Sequence, residues 1–135
     1  MEPRFLVDTN TIIYIRRNAP ASVRERFGKL QQGEAAASVI TYGELIYGVS
    51  KSNQKEAAIA ILQAMMQILP PAPLPVAAGA IYGEIRAELE AKGKIIGNND
   101  LWIAAHALAE GLILVTNNER EFRRVKGLKI QNWVA

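Results

Sequence analysis

Runs of apolar residues without polar alternation mark the strands of this sequence. Residues 5–7 form the first run, residues 35–40 form a second that is rich in small side chains, and residues 112–115 form a third that is partly β-branched. Such runs are typical of strands that are covered on both faces, as in a parallel sheet. Residues 129–133 are interpreted as a final edge strand.

Between these runs, apolar positions recur at the spacing of one buried helical face. Gly33 is expected to end the second helix and Thr41 to cap the third. Asn98 or Asn99 is expected to cap the sixth helix, and Gly111 to end it. The prolines of residues 70–75 predict a stiff loop inside one domain. Strands that alternate with helices indicate an α/β fold. The predicted helices cover residues 12–17, 20–33, 42–48, 54–69, 76–92, 98–110 and 119–126.

Three acidic side chains fall where a strand passes into a helix or in the first turn of a helix. Asp8 directly follows the first strand, and Glu44 and Asp100 are expected in the first turns of two later helices. Each position also has a purely structural explanation, because Asp is a good helix cap and a carboxylate in a first turn is stabilised by the helix dipole. Local sequence alone leaves both explanations open.

A parallel sheet would bring these three acids together. The carboxyl ends of its strands meet at one edge when the crossovers are right-handed, so we expect the acids to converge there. Like charges at close range repel one another unless a cation neutralises them. Carboxylates with Thr and Asn oxygens nearby are suitable ligands for Mg²⁺ or Mn²⁺. Such a site can activate water and stabilise the charge on a phosphoryl group during its displacement.

Composition narrows the kinds of site that the chain can build. It has 135 residues, no cysteine and one histidine, which excludes disulfides, thiolate-bound metals and multi-histidine sites within one chain. A single domain of residues 1–135 is expected, and its net charge of +3 is compatible with a nucleic-acid partner. The apolar segments are too short for a membrane span or a signal peptide, so the cytoplasm is the expected location.

Four motifs occur in order along nearly the whole chain. They are Leu-Val-Asp-Thr-Asn at 6–10, Gly-Glu-Leu-Ile-Tyr-Gly at 43–48, Ile-Gly-Asn-Asn-Asp-Leu-Trp-Ile-Ala-Ala-His-Ala at 96–107, and Leu-Val-Thr-Asn-Asn-Glu-Arg-Glu-Phe at 114–122. The first two are weak signals alone. All four in this order resemble the PIN-domain ribonucleases and, more closely, the VapC toxins of bacterial toxin–antitoxin pairs.

This resemblance implies a PIN-like three-layer α/β/α sandwich with a central, mostly parallel sheet of four or five strands. It also implies an endoribonuclease that depends on Mg²⁺, or on Mn²⁺, and that cuts structured RNA such as tRNA to inhibit translation. Asp8, Glu44 and Asp100 match the catalytic acids of the family. The resemblance implies that Asp8 and Asp100 bind the metal and that Glu44 binds it directly or through water.

Further residues match the polar surroundings of the family site. Thr9 and Asn10 stand where the family has polar residues after the first acid, and Thr116 matches a hydroxyl that lines the site. Asn118 occupies the position at which many PIN domains have a fourth acid, which puts a second, fully acid-held metal in question. Glu121 is a weaker candidate for the same edge.

The resemblance also implies partners. Family members are typically homodimers, and a cognate VapB-type antitoxin inhibits them and brings the DNA-binding element, so contact with DNA would occur only through the antitoxin. Contact with a membrane is not expected. Basic residues near the motifs are candidate contacts for the phosphates of RNA. The alternative explanation is that they only form a solvated polar surface. These candidates are Lys92, Lys94, Arg120, Arg123 and Arg124.

Two other functions remain compatible with the residues. A phosphohydrolase of the haloacid dehalogenase type would use Asp8 as a nucleophile, but such enzymes have a second acid two residues later, where this chain has Asn10. The second alternative is a catalytically silent PIN-like scaffold that only binds RNA or protein. The presence of all three acids argues against this second alternative.

Overall fold

A parallel sheet organises the chain, as the apolar runs predict. The computed structural model describes residues 2–134, which form five strands and seven helices. The strands are β1 (Phe5–Val7), β2 (Ala35–Ser38), β3 (Pro71–Ala72), β4 (Ile113–Val115) and β5 (Ile130–Gln131). The helices are α1 (Thr9–Arg17), α2 (Ala21–Gly28), α3 (Val39–Ser50), α4 (Lys55–Ile68), α5 (Ala77–Ala91), α6 (Asn98–Glu110) and α7 (Glu119–Phe122).

The sheet has the strand order β3–β2–β1–β4–β5, and each neighbouring pair is parallel. The central strand β1 pairs with β2 through Phe5 opposite Ala35, and with β4 through Leu6 opposite Leu114. This arrangement confirms the predicted α/β fold with a mostly parallel sheet of four or five strands.

Both faces of the sheet are covered by helices. Phe5 and Val7 of β1 belong to one buried core, which includes Met65 of α4. Leu6 points to the opposite face and belongs to a second core with Leu101 of α6. Successive side chains of a strand point to opposite faces, which is why an uninterrupted apolar run is needed here. The predicted three-layer α/β/α sandwich is thereby confirmed.

Helix α3 lies between the two cores at the carboxyl edge of the sheet. Its Ile40 packs against the core on one face, and its Leu45 packs against the core on the other. The helix begins directly at the end of β2, where the Ser38 hydroxyl accepts a hydrogen bond of 3.1 Å from the Ile40 backbone N–H. Thr41 was expected to be this cap, and that expectation is wrong. Glu44 therefore lies in the second turn of α3 rather than in its first.

Other element boundaries also differ from the predictions. Helix α2 ends at Gly28, and Gly33 lies in the turn before β2 with a φ of 89°. Helix α6 is preceded by Gly97, without a side-chain cap from Asn98 or Asn99. Helix α7 ends at Phe122, four residues earlier than predicted. These ends depend on turn geometry that apolar spacing does not report.

The proline-rich segment contains a strand that the sequence did not predict. Pro71–Ala72 forms β3 at the sheet edge, in parallel register with Ala37 and Ser38. The Ala37 N–H donates to the Pro70 carbonyl over 3.2 Å. Proline lacks an N–H, but it fits an edge strand where only its carbonyl must bond. Across residues 2–134, no helix has the length and apolar character to cross a membrane.

Candidate active site

Asp8 lies at the carboxyl end of β1 and is 7% exposed. Its Oδ1 accepts a hydrogen bond of 2.9 Å from the Thr11 N–H, which caps α1. Its Oδ2 accepts a hydrogen bond of 2.5 Å from the Thr116 hydroxyl, which follows β4. Burial raises the pKa of Asp8, and these hydrogen bonds oppose the rise by stabilising the carboxylate. Asp8 thus caps α1 and also lies at the carboxyl edge of the sheet.

Glu44 reaches the same edge from α3. Its Oε1 accepts a hydrogen bond of 2.7 Å from the hydroxyl of Thr9, in the first turn of α1. Its Oε2 lies 3.5 Å from the Asn99 amide nitrogen, at the start of α6. The carboxylate of Glu44 therefore bridges the beginnings of α1 and α6, two helices that are far apart in the chain.

Asp100 is the acid that its neighbours affect most. It lies in the first turn of α6, as predicted. Burial raises its pKa to about 6, and the negative charges of Glu121, Glu44 and Asp8 contribute in that order. Three other carboxylates therefore come within electrostatic range of Asp100 at this edge of the sheet.

A second set of hydrogen bonds connects Asp8 with the start of α7. The Asn118 N–H donates to the Thr116 hydroxyl oxygen over 2.9 Å, and the Asn118 amide donates to Glu121 Oε2 over 3.1 Å. Asn118 therefore takes part in the site by orienting Glu121. Asn10, the remaining predicted site residue, is exposed in the first turn of α1.

Sequence reasoning underrated two residues of this site. Glu121 was a weak candidate, yet its charge has the largest effect of any acid on Asp100. Asn99 was considered only as a helix cap, yet its amide faces Glu44. The sequence carried a signal for Glu121. Asn118 precedes it by three residues, which is a spacing typical of a helix start, and this helix start comes shortly after β4.

The predicted RNA contacts differ in their surroundings. Lys92 pairs with Glu88 over 2.9 Å, and Arg123 pairs with Glu119 over 2.8 Å. Arg124 donates to the Ile95 carbonyl over 3.1 Å and so supports the loop before α6. Lys94 and Arg120 are exposed. Within residues 2–134, neither of these two side chains forms an ion pair.

His106 does not belong to the acidic site. It lies six residues after Asp100 on α6, about 9 Å farther along the helix axis. It is fully buried, and its Nδ1 lies 2.8 Å from the Ser38 hydroxyl oxygen. Burial lowers its pKa, so the neutral ring is favoured. We therefore assign His106 to the core, where it contacts the residue that caps α3.

The chemistry of the acidic edge fits a hard divalent cation. Carboxylate and hydroxyl oxygens are the ligands that Mg²⁺ prefers. The pKa of Asp100 is raised by burial and, after it, by the negative charges of nearby acids, which a cation would neutralise. Within residues 2–134, no three acidic or histidine side chains are arranged so that they could hold one ion as they stand. Ion binding would therefore draw the carboxylates closer together.

Comparison with known proteins agrees with the fold and the motifs. The PIN domain matches residues 5–128. The chain is 45% identical over 130 residues to the tRNA(fMet)-specific endonuclease VapC of Shigella flexneri, covering 96% of this chain and 98% of that protein. It is 43% identical over 131 residues to the ribonuclease VapC2 of Haemophilus influenzae, covering 97% and 98% of the two chains.

Solved structures show the same likeness. The DNA-bound VapBC of Salmonella typhimurium superposes with a TM-score of 0.89 at 41% identity, over 98% of this chain and 99% of that chain. The VapBC2 of Rickettsia felis, bound to a promoter DNA fragment, gives a TM-score of 0.88 at 42% identity, over 96% and 98% of the two chains.

Proposed function

Because this chain belongs to the PIN-domain family and, within it, to the VapC ribonucleases that are the toxins of toxin–antitoxin pairs, we propose that it is a Mg²⁺-dependent endoribonuclease acting in the cytoplasm. Its substrate is a structured RNA, in the first instance the initiator tRNA that the VapC relative of Shigella flexneri is named for. Cleavage of this tRNA would stop translation. The likeness to ribonucleases supports neither a phosphohydrolase with an Asp nucleophile nor a silent scaffold.

The gathering of four carboxylates carries the catalytic part of this proposal. Asp8, Glu44, Asp100 and Glu121 are held at the carboxyl edge of the sheet, where burial and, after it, the charges of the other three acids raise the pKa of Asp100 to about 6. Proteins rarely gather like charges without a ligand of opposite charge, since the repulsion lowers stability. A divalent cation is the simplest ligand of that kind.

We assign metal binding to Asp8 and Asp100, with Glu44 directly or through water and Glu121 as a further carboxylate. A bound Mg²⁺ or Mn²⁺ supplies a water of lowered pKa and offsets negative charge on the phosphodiester. The protein's own contribution is orientation. Thr116 holds one oxygen of Asp8, and Thr9 holds one oxygen of Glu44, so that both carboxylates enter the reaction already positioned.

Exposed basic residues provide phosphate contacts beside this site. Lys94 and Arg120 are accessible and are the first candidates. The pairs that Lys92 and Arg123 make with acids of their own helices are at the surface, so they are weak and can be exchanged for a phosphate. Arg124 is assigned to loop support instead, because it is bonded to backbone carbonyls.

An antitoxin of the VapB type is the proposed protein partner, since the similar structures are VapBC complexes. An open, mostly apolar groove of about 310 Å³ lies between α1, α3 and α4. It is lined by Ile12, Leu45 and Met65, with Arg16 and Arg17 among its other lining residues. An apolar antitoxin segment with acidic neighbours would fit this groove, and any contact with DNA would come through that partner.

We also propose a homodimer. Val76 is 97% exposed at the start of α5, and the same face of this helix carries the exposed small residues Ala80, Gly83 and Ala87. A flat face of small residues lets two helix backbones approach closely, and the exposed Val76 would extend such a contact. This face of α5 is therefore assigned to the contact between two copies.

The deciding experiment incubates the purified protein, freed of antitoxin, with initiator tRNA. Parallel samples contain Mg²⁺, Mn²⁺ or chelator, and the Asp100→Asn variant serves as the matched inactive control. We expect one discrete product that requires both the metal and Asp100. Equal cleavage by a folded Asp100→Asn variant would disprove the assignment of the site.

A further inference from the structure

Tyr47 is an exposed aromatic residue on the helix that carries Glu44. Its side chain is 63% exposed, although α3 packs against both cores of the protein. The Lys51 ammonium lies over the ring, 5.0 Å from its centroid. The ring has a cation beside it and lies one helical turn from an acid of the site. Packing alone does not explain this arrangement.

The surface around this ring is open on one side. Residues three and four positions apart are neighbours on a helix, about 5–6 Å between Cβ atoms. Glu44 precedes Tyr47 by three residues, and Gly43 precedes it by four. A Cβ atom added at Gly43 would meet no other atom within 4 Å. The ring is therefore flanked by a bare patch of helix on one side and by Lys51 on the other.

We propose that Gly43, Tyr47 and Lys51 form a stacking site for one unpaired base of the RNA, next to the phosphodiester that is cut at the acidic edge. The base would stack on the Tyr47 ring over Gly43, and Lys51 would contact a neighbouring phosphate. This inference rests on the proposed function and adds the residues that position the substrate. Stacking on an aromatic ring tolerates any base, and a lysine contributes charge without sequence preference.

Chemistry favours RNA over a protein as the occupant of this site. The three residues offer one ring, one cation and one bare turn of helix, which is the combination that binds a nucleotide. Specific protein interfaces instead need about 800 Å² on each partner. The site also shares a helix with Glu44, so a base bound there would keep its phosphate close to the carboxylates.

The first test measures RNA affinity without turnover. Fluorescein-labelled initiator tRNA is titrated in Mg²⁺ against the Asp8→Asn protein, alone and combined with Tyr47→Ala, Tyr47→Phe or Lys51→Gln. We expect Tyr47→Ala to weaken tRNA binding by about tenfold or more and Tyr47→Phe to bind as the parent does. Lys51→Gln should lower the slope of log affinity against log salt concentration by about one, because one fewer counterion is released. Equal affinity of the Tyr47→Ala and parent proteins would overturn the inference.

A second test separates binding from stability. Gly43→Gln places a side chain in the open patch, and it should raise the melting temperature because glycine weakens a helix interior. The same change should weaken tRNA binding, because the stacking position is filled. Gly28→Gln is the control on another helix, where an added Cβ also meets no atom within 4 Å. Undiminished tRNA affinity of Gly43→Gln would contradict the proposal.

Two further outcomes are distinguishable. A change in oligomeric state of Tyr47→Ala, seen by light scattering, would assign the ring to a subunit contact and overturn the RNA site. Absence of metal-dependent cleavage by the unmodified chain would overturn the proposed function. The affinity measurements would still decide the stacking site, because they do not depend on turnover.

Discussion

At the scale of single residues, the charge of Glu121 influences Asp100. Glu121 is the first of three acids that raise the pKa of Asp100, after the effect of burial. Asn118 holds Glu121 in place, because its amide donates a hydrogen bond to Glu121 Oε2.

We expect Glu121→Gln to weaken metal binding by about tenfold, because one negative charge leaves the site. This is the lower end of the loss of metal affinity that removal of a supporting residue causes. The same change should lower the pKa of Asp100. Calorimetry with Mn²⁺ measures the first effect. Glu119→Gln is the matched control, since Glu119 lies on the same helix but pairs with Arg123 and Asn132. Equal metal affinity of the Glu121→Gln and unmodified proteins would remove Glu121 from the site.

Two buried threonines allow a direct comparison of bonded and unbonded hydroxyls. Thr116 donates to Asp8, whereas the Thr41 hydroxyl has no hydrogen-bond partner among residues 2–134. We expect Thr116→Val to cost about 1–3 kcal/mol and Thr41→Val to be neutral or stabilising. Urea unfolding of both variants measures the difference. Similar losses in the two variants would show that the bond to Asp8 contributes little.

At the scale of elements, the end of a strand decides where the next helix begins. Ala35–Ser38 ends as a strand where its pairing with Pro71 and Ala72 ends, and Ser38 then caps α3. The apolar residues 39–40 look like more strand in the sequence, but they form the first turn of the helix. Only the length of the partner strand distinguishes these two outcomes.

The exposed face of α5 supports a prediction about assembly. Gly83→Arg should convert the dimer into a monomer, because a long charged side chain would separate two closely packed helices. The fold should tolerate the change, since a Cβ at Gly83 would meet no atom within 4 Å. Light scattering measures the mass, and Gly28→Arg is the control on α2. A Gly83→Arg protein that remains dimeric would place the subunit contact elsewhere.

At the scale of the whole molecule, the acidic edge makes the metal-free protein sensitive to pH. The pKa of Asp100 is 3.8 in its ordinary state and about 6 in the fold. A raised carboxyl pKa means that the folded chain holds the proton more tightly, so this stabilisation is present below about pH 4 and is lost as the pH rises through 6. The buried Asp8 acts in the same direction.

We expect metal-free unfolding free energy to fall by about 1 kcal/mol between pH 4 and pH 6 because of Asp100, after allowing for solvent screening of this half-buried group. Surface acids such as Glu88 and Glu119 have lowered pKa values and act in the opposite sense. The difference between the unmodified protein and Asp100→Asn therefore isolates the effect. An identical pH dependence of the two proteins would contradict it.

The sequence by itself determined four of the five strands, the helices that cover them and the order of Asp8, Glu44 and Asp100 along the chain. It could do so because apolar periodicity and the residues at strand ends are local properties. Asp8 follows a strand of three apolar residues, and no distant contact is needed to recognise that pattern.

Only the tertiary structure decided which side chains meet. The bond between Thr116 and Asp8 joins residues 108 positions apart, and the influence of Glu121 on Asp100 links two different helices, α7 and α6. The short strand Pro71–Ala72 exists because a neighbouring strand offers it bonding partners. Contacts of this kind depend on packing between elements distant in the chain, and no local pattern of residues encodes them.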